Sequence, residues 1–133
     1  MNLDTLGQVV VDTTLVVDEA RVQQLARAIG TPTATETALR APFFGPTAAG
    51  QDSVVGPLGM DLSRALQGGQ SYEWHRAFRL GETVQLTVTI EDILDKSTSH
   101  LATVLATFRG ADGELIQRQR TTFMERVVQE GGA

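Results

Sequence analysis

The 133-residue chain contains no cysteine. That excludes a disulfide framework, a thiolate nucleophile and a cysteine metal site. Histidine is scarce, with only His75 and His100. They lie far apart in the chain with no carboxylates clustered beside them, a pattern that argues against a metal site. Positive charge is in deficit: eleven basic against sixteen acidic residues leave a net charge of −5. Neither nucleic acid nor an anionic membrane suits such a surface as the main partner. No apolar run approaches the ~20 residues of a membrane span, and the N-terminus shows no signal-peptide pattern, so a cytoplasmic protein is expected. Internal repeats, a nucleophile elbow and a phosphate-binding glycine loop are also missing, and no cofactor is expected.

What is present is alternation. Over residues 83–90, Val84, Leu86, Val88 and Ile90 fall on one side and Thr83, Gln85, Thr87 and Thr89 on the other. A period of two over that length marks a strand with one buried face. Ala102, Val104, Ala106 and Phe108 repeat it, and Tyr72, Trp74, Arg76 and Phe78 share a side in the preceding run. Residues 116–124 are β-branched and aromatic but mixed in polarity. The breaks between runs, at 79–82, 95–99 and 110–113, are too short for a crossover helix. Neighbouring runs are therefore expected to pair antiparallel as a four-stranded meander. One apolar side of that sheet needs cover.

The first half must supply it. Val9–Val11 and Thr13–Val17 are largely β-branched and read as extended, with Asp12 between them. Asp18 suits an N-cap, and Val22, Leu25, Ala26 and Ile29 line one face of a helix expected over Glu19–Ile29. Gly30 and Pro32 end it. Residues 41–69 are punctuated by prolines and glycines. A broken helix somewhere in 42–52 is expected there, with a short one at 62–66 capped by Asp61 and ended by Gly68. The whole reads as one α+β domain over residues 1–128, with 129–133 a disordered tail.

This order of elements resembles the hot-dog fold, a curled antiparallel sheet around a central helix. The nearer resemblance is to the MaoC-like group of dehydratases and (R)-specific enoyl-thioester hydratases. It rests on DLSRALQGGQSYEWHRAFRLGE at 61–82, which is similar to that group's lead-in, aromatic strand ending in His-Arg, and Gly-acid turn. RAPFF at 40–44 resembles the segment that opens the family's central helix. The likeness covers residues 16–126. Active members resemble one another in an Asp and a His about five residues apart, which activate a water on one side of the thioester. Backbone donors at the start of the central helix would hold the thioester oxygen. The corresponding loop here, GTPTATETALR at 30–40, contains neither Asp nor His and is short for the family. Glu36 is its lone acid. The departure implies a chain without its own dyad, and no catalytic residue is assigned.

Five residues remain as substrate-contact candidates. Phe43 and Phe44 could line an acyl pocket, or simply fill the core. Trp74 accompanies them on the aromatic run. His75, placed on a strand opposite Trp74, could touch substrate or partner, or serve as a bonded strand-end histidine. Arg76, with Arg79, could meet coenzyme A phosphates or a carrier protein's acidic surface, or lie solvated at a sheet end. His100 reads as a solvated loop histidine. The resemblance implies an accessory subunit of a heteromeric hydratase or dehydratase acting on acyl-CoA or acyl-carrier-protein thioesters, beside a homologous hot-dog chain that supplies the dyad. The alternative is a homodimeric hot-dog thioesterase or acyl-thioester-binding protein, with Asp52 or Glu36 as base.

Overall fold

The computed structural model describes residues 1–30, 43, 48–50 and 52–127. Strand β1 (Val9–Val16) leads into helix α1 (Glu19–Ile29). Helix α2 (Asp52–Leu58) and a 3₁₀ turn (Leu62–Arg64) precede β2 (Ala65–Trp74), β3 (Thr83–Asp95), β4 (Ser99–Arg109) and β5 (Leu115–Arg126). All strands join one antiparallel sheet in the order β1-β3-β4-β5-β2.

Helix α1 has the expected bounds. The Asp18 carbonyl accepts its first bond from Val22 N at 3.2 Å, and Gly30 ends it at φ 73°, a conformation open to glycine without strain. The broken helix expected somewhere in 42–52 falls mostly outside the described residues; helix α2, which begins at Asp52, is an element the sequence reading did not name. Pro57 is tolerated because it removes a single bond near the end of a two-turn helix. Gly59, at φ 64°, closes it with Met60 N donating to Val55 O at 3.2 Å. The short helix expected at 62–66 is only a 3₁₀ turn. Asp61 does cap it, accepting from Ser63 N at 3.0 Å. Gly68 is not its end but sits at a bulge inside β2. Leu62 and Leu66 have helical spacing but are 56% and 63% exposed, so no buried face rewards a longer helix.

The four-stranded meander needs correction. β3, β4 and β5 do form one, but β2 pairs with β5 at the far edge rather than with β3. The eight residues 75–82 can reach ~26 Å, whereas three strand spacings are ~14 Å. A short connection therefore fixes antiparallel direction without fixing adjacency. β2 also starts earlier and ends sooner than its aromatic run suggested, so His75, Arg76 and Phe78 lie beyond it.

The sheet's inner face is the core. Val84, Leu86, Val88 and Ile90 of β3 and Ala102, Val104, Ala106 and Phe108 of β4 are all fully buried. Val22 of α1 and Val54 and Leu58 of α2 join the same apolar cluster. A bulge between Ile90 and Asp92 shifts the β3 register, so Ile93 and Asp95 come opposite Ala102 and His100; Ile93 is half-buried there, while the Asp95 side chain stays 63% exposed. The expected tail, residues 129–133, lies outside the described residues.

Candidate functional site

The inner face of β5 is polar where its neighbours are apolar. Gln117, Gln119 and Thr121 stand opposite Phe108, Ala106 and Val104, and all three are fully buried. A buried amide is costly unless bonded. Gln119 Nε2 donates to Gln117 Oε1 at 2.7 Å and to Phe43 O at 2.9 Å, while its Oε1 accepts from Gln70 Nε2 at 3.3 Å. Thr121 Oγ1 donates to Gln70 Oε1. This amide ladder pins the chain at Phe43 onto the sheet. Phe43 then closes a three-ring cluster with Phe78 and Phe108, centroids 5.4–5.5 Å apart.

Beyond the ladder the inner face continues onto the edge strand. Tyr72 lies opposite Gln119 and Trp74 opposite Gln117, so both share the inner side. They stack on each other with centroids 5.1 Å apart and planes 8° from parallel. Yet Tyr72 is 38% and Trp74 50% exposed, and the far side of β2 has no strand paired to it among the described residues. The result is an aromatic shelf on an unpaired edge.

The five candidates thus separate. Phe43 is buried at 2% and backs the core, while Phe44 lies outside the described residues, as does Glu36. Trp74 sits open on the shelf. His75, just past β2, is exposed and shares a 2.7 Å contact with Glu73, which also accepts from Arg118 at 3.0 Å. These bonds hold the Glu73 carboxyl below its ordinary range, the one to His75 contributing most. Arg76 is clamped: it grips Glu82 through two bonds of 2.7 and 2.9 Å and Glu114 at 2.6 Å, and donates to Ala77 O. Its own proton is held more tightly than usual, chiefly by Glu82, and the Glu82 carboxyl is lowered chiefly by Arg76. Asp52 stands at the first residue of α2.

One Asp–His pair does meet. His100 is no solvated loop residue: it is the second residue of β4, with its side chain 16% exposed, and its Nε2 lies 3.1 Å from Asp95 Oδ1. Its Nδ1 is buried without a hydrogen bond, 4.0 Å from Glu125 Oε1. Glu125 is itself engaged, accepting from the Met1 ammonium at 2.6 Å and from Asp61 N at 2.5 Å. Burial pushes the Glu125 carboxyl up, but these donors outweigh it and the net shift is downward. Asp95 and His100 are cross-strand partners closing the β3–β4 hairpin, and two clefts found elsewhere are lined by neither. Among the described residues no group of three side chains could hold a metal. No helix there is long and apolar enough to cross a membrane.

Sequence reasoning missed the ladder and the Asp95–His100 contact. The signal for the ladder was present: glutamines 117 and 119 alternate with arginines 118 and 120. With both faces polar, the pattern could not say which face was buried.

The chain matches the FAS1-like, dehydratase domain region model over residues 4–119. It is 29% identical over 73 residues to a UPF0336 protein of Saccharopolyspora erythraea, covering 55% of this chain and 47% of that one. It is 31% identical over 84 residues to a UPF0336 protein of Streptomyces avermitilis, covering 63% and 56%. The chain thus spans about half the length of the curated relatives it matches. Its fold is similar to that of a C-terminally truncated HadBC (3R-hydroxyacyl-ACP dehydratase) complex from Mycobacterium tuberculosis: TM-score 0.63, 17% identity, 93% of this chain and 99% of that one. It is similar also to the (R)-hydratase from A. caviae involved in PHA biosynthesis, with TM-score 0.61, 18% identity and coverage of 92% and 98%. A MaoC-like dehydratase from Phytophthora capsici gives TM-score 0.66 at 15% identity, over 97% of this chain and 50% of that one. The fold is therefore the hot-dog, and the chain belongs to the family of the FAS1-like dehydratase domain region.

Proposed function

We propose that this chain is a cytoplasmic, sheet-completing subunit of a heteromeric enoyl-thioester hydratase or 3-hydroxyacyl-thioester dehydratase, with the acid–base pair carried by a homologous partner. The observation that carries this reading is the shelf. Tyr72 and Trp74 extend the inner face past the chain's own core and stand uncovered on an edge strand. An aromatic pair on an unpaired edge is a liability alone and an asset against a second sheet. The loop at 30–40, which contains neither aspartate nor histidine, supports the division of labour. So does the HadBC complex, a dehydratase built from more than one chain.

In that assembly the partner's base and acid add or remove water on one side of an acyl-CoA or acyl-carrier-protein thioester. This chain contributes walls. Phe43, held by Gln119, backs the channel; Trp74 and His75 are the candidates left open to substrate or partner; Arg76, locked by two carboxylates, braces the end of β2 against β3 and β5. The test is to purify the chain alone and together with a MaoC-like chain that contains an intact Asp/His pair, and to measure hydration of a crotonyl thioester. The expected result is negligible turnover alone, and a complex that is more stable and more active than the partner by itself. Strong hydration by the lone chain sinks the proposal and turns attention to Asp95 and His100.

A further inference from the structure

We infer that the cleft between the 3₁₀ turn and the end of β5 is an anion site for the phosphate of a phosphopantetheine-type thioester. The choice of ligand rests on the acyl-thioester reading above; the choice of place does not. The cleft has a volume of about 390 Å³ and is lined by Ser63, Arg64, Ala65, Leu66, Met124 and Arg126. That is at the small end of the ~300–1,000 Å³ usual for small-molecule sites.

Three features point to an anion with an apolar arm. First, the outward arginines of β5 are treated unequally. Arg118 is paired with Glu73 and Arg120 with Glu91, both at 3.0 Å. Arg126 is exposed and has no ion pair among the described residues. Second, Arg64 is only partly satisfied. Its Nε lies 3.2 Å from Asp61 Oδ2, close enough for an ion pair, yet this N–H is buried without a hydrogen-bond acceptor. Two carboxylates oppose Arg64, and both are already occupied: Asp61 accepts from Ser63 N and Ser63 Oγ, and Glu125, which also feels the Arg64 charge, accepts from the Met1 ammonium and Asp61 N. Two guanidinium groups and one ammonium against two engaged carboxylates leave an excess of positive charge here on a chain of net charge −5. Third, the floor is apolar. Leu66 is 63% exposed in the free chain, and Met124 lies directly opposite it across β2 and β5.

Arginine's planar fork matches phosphate oxygens, and an exposed leucine–methionine floor suits the methyl groups and methylenes of a pantetheine arm. Inorganic phosphate would share only the first of these contacts. The cleft also opens at the start of β2, the strand whose edge the partner is proposed to cover. A carrier bound there would have its arm run along the subunit boundary.

Calorimetric titration of the full chain at low salt tests this, using 4′-phosphopantetheine, pantetheine without phosphate, and inorganic phosphate. The expectation is that 4′-phosphopantetheine binds, that pantetheine binds at least about tenfold more weakly, and that inorganic phosphate competes. Arg126→Gln and Arg64→Gln should each weaken 4′-phosphopantetheine about tenfold, and the double variant should abolish it. Arg126→Gln should melt with the wild type, so lost binding cannot be blamed on unfolding. Equal affinity for pantetheine and its phosphate overturns the inference; so does full binding by the double variant, or no binding by the wild type. The two readings fail separately. Arginine-dependent binding by a chain that never raises a partner's hydration keeps the cleft and removes the accessory role. A functional complex whose KM for crotonyl-CoA and for crotonyl-carrier protein ignores both arginines does the reverse.

Discussion

Gln119 is the residue on which the chain's cover depends. Its amide group donates two bonds and accepts one, and the bond to Phe43 O is the one that leaves the sheet. Gln119→Leu keeps the volume and removes the donors. Phe43 O and Gln117 Oε1 would each lose a donor and Gln70 Nε2 an acceptor, and the expected cost is about 1 kcal/mol per hydrogen bond lost. Urea unfolding measures this; a leucine variant as stable as the wild type would mean that the ladder is packing alone. Arg76 and Glu82 make a second residue-scale case. The Glu82 carboxyl is lowered from its ordinary 4.5 in the folded state. A lowered carboxyl stabilises the fold above its unfolded value and stops doing so as pH falls through the folded one. Glu82→Gln should therefore destabilise at pH 7, and the gap to the wild type should shrink below about 4.5. A gap constant from pH 7 to pH 3 would show that the pair contributes geometry rather than charge. Gly110 borders the same cluster: a Cβ there would meet Glu114 Oε1 at 2.8 Å and Arg76 Nη2 at 3.1 Å. Both are ends of flexible side chains, so Gly110→Ala should displace Glu114 at little cost and leave the Arg76–Glu82 pair intact.

At the scale of elements, β3 and β4 were legible because the sheet buries one of their faces completely. Val88→Asp puts an unpaired charge at a fully buried position, with an expected cost of several kcal/mol against a total of ~5–15. Thr87→Asp, on the half-buried outer side, should cost far less, and thermal melts of the two separate them. Equal damage would mean a slipped register. Helix α1 was legible because a capping residue, an apolar spacing of three and four, and a terminating glycine agree in the sequence, and its bounds match. β2 was not. Its ten residues are mostly exposed, so no alternation survives to mark its ends, and its aromatics look like core on a strand that has none of its own. The buried face of β5 was hidden because amides replace apolar side chains there. The Asp95–His100 pair needed the β3 bulge, which a strict period of two cannot foresee.

Among the described residues of the whole molecule the sheet has two edges, and they are not equivalent. Both carry a register break, Val9/Val11 on β1 and Gln67/Gly69 on β2, but β1 is the shorter. β2 is longer, carries the stacked Tyr72–Trp74 pair, and adjoins the buried amide ladder. If a second hot-dog chain completes the structure, β2 is the edge it should take. Lysines on an edge strand oppose pairing, and truncated hot-spot aromatics cost about 2 kcal/mol each, by order of magnitude ~1,000-fold in affinity for the pair where the two add. The variant Tyr72→Lys/Trp74→Lys should fold with a melting temperature close to the wild type, because both side chains already face solvent in the lone chain. Sedimentation with the MaoC-like partner should nevertheless show the complex lost, and with it the gain in crotonyl-thioester hydration. Val16→Lys, at an exposed position on β1, is the control and should leave assembly untouched. If the two edges swap these outcomes, the partner sits on β1 and the aromatic shelf faces substrate instead. If neither variant disturbs the complex, contact runs through the helical side, and the sheet ends where this chain ends it.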